Sequence, residues 1–166
     1  MINPGSVVSS VLAGIQAVPD LVQAMAGSST RIYSYYSKFP QQVSLTKALA
    51  SMPQPGIMVA YRGFAPQRRQ GSNAECWVHS LSIFVRCDAT ADVADPADAL
   101  KPLWLLLEGV PDGSTLPLKN YEFHPALEPM NVPSAQLSQL VIDTAGTVIE
   151  YWELSLKLVQ KDDSSS

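Results

Sequence analysis

Glu75-Cys76-Trp77-Val78-His79-Ser80-Leu81-Ser82-Ile83-Phe84-Val85-Arg86-Cys87 is the stretch whose reading decides the fold. Trp77, Leu81, Ile83, Val85 and Cys87 share one side of it, with His79 among them, while Ser80, Ser82 and Arg86 fall on the other. Successive side chains of a strand point to opposite faces, so this alternation predicts a long strand with one face on a core and the other toward water or a partner. Upstream, Ile57 to Phe64 has strand composition, and the polar stretch from Ala65 to Asn73 separates the two. Together they predict a hairpin, the clearest in the chain.

A second hairpin is expected at the end of the chain. Gln136 to Ile142 and Thr147 to Val159 flank the turn-prone tetrad Asp143-Thr144-Ala145-Gly146. In its second arm Trp152, Leu154, Leu156 and Leu158 form one face and Glu153, Ser155 and Lys157 the other. Residues 161–166 are expected to be a solvated tail.

Helical spacing marks other segments. Val7, Val8, Val11, Leu12 and Ile15 recur behind Pro4 and Ser6 and predict a first helix with one buried face. Pro19 and Asp20 open a short second helix carrying Leu21, Val22 and Met25, with Gly27 as its stop. Arg31 to Val43 is rich in aromatic and β-favouring residues and is expected to be extended. Ser44 is placed to cap a helical turn through Leu45, Ala48, Leu49 and Met52, stopped by Pro53 and Pro55. A further helix is expected from Asp95-Pro96 to Glu108, with Leu100, Leu103, Trp104 and Leu107 on one face and a kink or late start imposed by Pro102. Residues 111–133, rich in Pro, Gly and Asp, predict a long irregular connection with at most a short strand over Leu118 to Phe123. The expected fold class is α+β, a mixed and mainly antiparallel sheet of hairpins with helices packed on one face. Residues 1–160 are expected to form one domain, with residues 1–27 as an N-terminal helical segment. A chain of 166 residues is long enough to remove roughly two thirds of its unfolded surface from water.

Composition narrows the function classes. Only 16% of the residues are charged, well below the roughly 25% of an average globular chain, which favours contacts with other protein. The formal charge of −4 gives no global field toward phosphates, so nucleic-acid recognition is not expected. Cys76 and Cys87 lie at the two ends of one expected strand, about 36 Å apart, too far for a disulfide. Two unpaired thiols suit a reducing compartment. Val7 to Val18 is mostly apolar, but no Lys or Arg precedes Arg31 and Pro19-Asp20 interrupts it, so neither a secretory signal nor a membrane span is expected. The expectation is a soluble, intracellular protein.

No catalytic constellation emerges. The soft metal donors are Cys76, Cys87, His79 and His124; Cys76 and His79 are three apart on a strand and face opposite sides. No Gly-x-Ser-x-Gly elbow or glycine-rich phosphate loop occurs, and Glu150 and Glu153 lie on opposite faces of one strand. His124 before Pro125, and Glu122 and Glu128, fall in the irregular region. The expectation is no enzyme, no cofactor and no metal. The surface feature that stands out is the hairpin tip, where Gln67, Arg68, Arg69 and Gln70 form a finger able to reach a neighbouring subunit through paired Arg–carboxylate hydrogen bonds. Ser80, Ser82 and Arg86, on the outward side of the long strand, complete the expected protein-interaction surface.

The order of elements, carried by GIMVAYRG (56–63), CWVHSLSIFVRCD (76–88) and VIEYWELSLKLV (148–159), resembles the tail terminator and tail-completion (neck) proteins of long-tailed bacteriophages. Those are small α+β subunits with an N-terminal helix, a sheet of hairpins, a helix packed on it and a closing strand. The resemblance implies a structural virion subunit, assembled in the bacterial cytoplasm, that forms a homohexameric ring on the finished tail tube. Its implied partners are its own copies, the tail tube protein and a head-tail connector or neck protein. The extra N-terminal helical segment and the proline-rich stretch 111–133 depart from that pattern and leave a head-closure subunit as a related role. Two readings stand beside it: a ligand-binding or hydrolytic module with a pocket beneath residues 111–133, and a tail assembly chaperone.

Overall fold

The computed structural model describes residues 3–17, 22, 25, 27–35, 43–53, 55–68, 75–86, 127–129, 134–141, 146 and 148–160. The expected helix from Asp95 to Glu108, the strand at Leu118 to Phe123, and the tail lie outside the described residues, as does most of the second helix.

The first helix, α1, spans Pro4–Gln16. Asn3 caps it, its side chain accepting from the Ser6 amide at 2.8 Å, and Pro4 occupies the first turn, where its missing N–H costs nothing. Val7, Val8, Val11 and Ile15 are buried, each worth about 1.5–3 kcal/mol relative to exposure. A short 3-10 turn, Ser29–Arg31, leads into β1, Ile32–Ser34. Gln16 donates to the Ile32 carbonyl at 2.9 Å, which fastens the end of α1 to β1.

Ser44 caps α2, Leu45–Ala50, accepting from the Lys47 amide at 3.2 Å. The expected extended run from Arg31 to Val43 is a strand only over β1, and residues 36–42 lie outside the described residues. β1 pairs in parallel with β2, Gly56–Arg68, so the chain must cross over between them, and α2 lies on that crossover. β2 then pairs antiparallel with β3, Glu75–Arg86. The strand continues to Arg68, four residues beyond its expected end at Phe64, because a bulge realigns it with β3.

The sheet order is β1-β2-β3-β6-β4, with β5 also on β6. β6, Val148–Gln160, is thus flanked by β3 on one side. On its other side lie β4, Leu127–Pro129, and β5, Ser134–Val141. The terminal hairpin forms as expected, with Val141 opposite Val148. The short strand β4 falls in a segment expected to be irregular; three residues ending on a proline carry no strand pattern of their own.

The sheet separates two clusters. On the first face Ile32, Ile57, Val59, Leu81, Ile83, Val85, Leu154, Leu156 and Leu158 pack with α1. On the second face Tyr33, Met58, Ala60 and Phe84 pack with Ala48, Leu49 and Met52 of the α2 region. The fold is α+β with a mixed, mainly antiparallel sheet. The expectation of helices on one face holds for α1 and not for α2, because β1 and β2 present apolar residues on both sides. Among the described residues no helix is long and apolar enough to cross a membrane.

Candidate interaction surface

β1 pairs with β2 only as far as Val59; the rest of the β2–β3 hairpin, flanked by β6 as far as Trp77, is the arm. Tyr61 is opposite Leu81 and Gly63 opposite Ser80, so Arg62 is an extra residue, a β-bulge. Gly63 has φ 132, and a Cβ placed there would meet nothing within 4 Å. The requirement for glycine is therefore set by the backbone alone. The bulge changes which residues face α1: beyond it Phe64 is opposite His79 and joins Tyr61 on the first face. Arg62 is left exposed.

On that face Tyr61, Phe64, Trp77 and His79 make a cluster of rings. Phe64 meets Trp77 edge to face with centroids 5.5 Å apart, and His79 at 6.3 Å. Tyr61 and His79 lie 5.9 Å apart. His79 is fully buried. Its Nε2 is 3.1 Å from Gln160 Oε1 and its Nδ1 is 2.8 Å from the Tyr61 hydroxyl. A carboxamide oxygen only accepts, so Nε2 carries the proton, and in the neutral ring Nδ1 accepts the Tyr61 O–H. One side chain of β3 thereby ties β2 to the last residue of β6. Phe64 remains 47% exposed. Arg62, the bulge residue two positions before it, is exposed as well.

Of the expected contact residues, Gln67 and Arg68 belong to β2, opposite Cys76 and Glu75. Arg69 and Gln70 lie outside the described residues. Ser80 is half-buried on the second face, across from Lys157, where a contact role remains open to it. Ser82 and Arg86 have partners within the chain. Ser82 is buried and donates to Glu153 Oε1 at 3.0 Å. Arg86 donates through Nη1 to the Met52 carbonyl at 2.7 Å, holding the end of the α2 segment against the sheet. Both lie on the second face, which the alternation showed as polar and part of which, at Tyr33, Met58, Ala60 and Phe84, packs with the α2 region. Beside Arg86, burial pushes the Tyr33 phenol up to about 12, with the guanidinium pulling the other way.

The residues weighed for chemistry disperse. His79 is the pin of the arm, and Glu150 accepts from Gln139 at 2.9 Å while Glu153 accepts from Ser82. Cys87 and His124 lie outside the described residues. Among the described residues no three His, Cys, Asp or Glu side chains group to hold a metal ion. Sequence reasoning missed Phe64 and Arg62 as surface residues. Tyr61-Arg62-Gly63-Phe64, a glycine between ring-bearing residues inside a strand, was the available signal for the bulge. In comparisons with known proteins, no family model and no curated sequence matches this chain.

Proposed function

We propose that the protein is a structural subunit of a phage tail or neck, a terminator-like ring component that acts by packing against other polypeptides. The observation that carries this reading is the exposed ring of Phe64 on β2, two residues after the exposed Arg62 of the bulge. An exposed ring near an arginine fits a partner that offers an apolar notch beside a carboxylate. The order of helix, hairpin and closing strand supports the same role. A head-to-tail interface whose rotation closes makes a ring, and a ring ends a stack when its second face does not repeat the binding surface of the tube.

The test is to mix the purified chain with polymerised tail tube protein, image the tube ends by electron microscopy, and search purified particles for the chain by mass spectrometry. Rings at tube ends and a stoichiometric presence in particles are expected. A chain that leaves tube ends bare and is missing from particles overturns the reading; binding to tube protein without incorporation favours an assembly chaperone instead. Phe64→Ser is expected to weaken the tube contact while leaving the fold intact.

A further inference from the structure

β5 runs along the outer side of β6, and among the described residues no strand pairs with its other side. Edge strands of this kind are usually protected from pairing by shortness, proline or charge. β5 has none of these: SAQLSQLV is eight residues long without a proline or an ionisable side chain. Gln136, Leu137 and Gln139 are exposed. The opposite edge differs, since β1 is three residues long and buried throughout.

One cross-strand row on the first face runs from Ile32 through Ile57, Val85 and Trp152 to Leu137. Ile32, Ile57 and Val85 are at most 1% exposed, and Leu137 is 49% exposed. The apolar row therefore crosses the whole sheet and stops on an open leucine. We propose that a second copy of this chain continues it, by antiparallel pairing of β5 with β5 about a two-fold axis.

The choice of a second copy follows from charge and parity. About a two-fold axis every side chain near the axis meets its own equivalent, so a charged strand would repel itself, and this strand carries no charge. Directly opposed residues of an antiparallel pair share a face, so the two-fold registers centre on a residue. Centred on Leu137, the register sets Leu137 against Leu137, Gln136 against Ser138 and Ala135 against Gln139 of the second copy. Centred on Ser138, it would set Leu137 against Gln139 and leave the apolar row broken. The Leu137 register joins the two rows into one.

This contact does not rest on the ring reading, since a ring closes through two different surfaces and this one is self-complementary. Sedimentation of the full chain, followed over concentration, tests it alongside two variants. Expected are a dimer for the wild type, a monomer with unchanged circular dichroism that melts like dissociated wild type for Leu137→Lys, and a covalent dimer on mild oxidation of Leu137→Cys against a wild-type blank. A wild type that stays monomeric, a dimer that survives Leu137→Lys, or cross-linking through Ser138→Cys in place of Leu137→Cys overturns the proposal. Rings on tubes from a chain that is monomeric when free would remove this contact and leave the ring; a dimer that ignores tubes would do the reverse.

Discussion

The Tyr61 hydroxyl lies 2.8 Å from Nδ1 of His79, joining β2 to β3 where the bulge redirects β2. With His79 also bound to Gln160, three strands meet at one buried imidazole. His79→Ala opens a cavity and leaves polar groups of Tyr61 and Gln160 without this partner, an expected loss of about 2–4 kcal/mol. Tyr61→Phe removes one hydrogen bond and is expected to lose about 1 kcal/mol. Chemical denaturation of both single variants and the double variant forms a thermodynamic cycle, in which a coupling of roughly 0.5–3 kcal/mol is expected. Simple additivity would show that the two side chains act separately.

Arg86 is a structural anchor, bound to the Met52 carbonyl. Arg86→Ala is expected to destabilise the fold by about 1.5–3 kcal/mol, the range for a hydrogen bond from a charged group. Faster hydrogen exchange at α2 should accompany the loss. A variant with wild-type stability and impaired partner binding would return Arg86 to the surface role that the sequence suggested.

Gly63 has a backbone conformation open to glycine and strained for other residues. Gly63→Ala meets no steric obstacle from neighbours, so its cost is conformational, about 1–3 kcal/mol. Thermal unfolding measures it. A stability equal to wild type would mean that the bulge relaxes without penalty.

Tyr33 gives the fold an alkaline limit. Its phenol is raised to about 12 from 10.0, first by burial and against the pull of Arg86. The unfolded chain releases this proton near pH 10 while the folded chain keeps it, so the contribution is whole below pH 10 and is lost as pH rises toward 12. Solvent screening keeps the loss below the roughly 2–3 kcal/mol of a fully buried phenol. The stability of wild type relative to Tyr33→Phe, read from denaturation midpoints, should fall across that interval; parallel curves would count against it.

Much of the sheet was legible because its signals are local. The alternation in 75–87 and in 147–159, the spacing of Val7, Val11 and Ile15, and the capping serine at 44 each report on a few neighbouring residues, and each element formed. The pairing of β3 with β6 left no local trace, because strands some seventy residues apart in sequence are matched only by the packing of their apolar faces. The interaction surface was less legible. Ser82 and Arg86 look outward in a strand pattern, and only their partners from distant segments, Glu153 and the Met52 carbonyl, engage them within the chain.

What the sequence determined by itself was the set of elements and the side of each that is apolar, since helix and strand periodicities are written along the chain. Which polar residues remain at the surface was decided by the tertiary structure. Burial depends on what arrives from elsewhere: Glu153 of β6 meets Ser82, the Met52 carbonyl after α2 meets Arg86, the bulge at Arg62 turns Phe64 onto the first face, and the end of β6 brings Gln160 to His79.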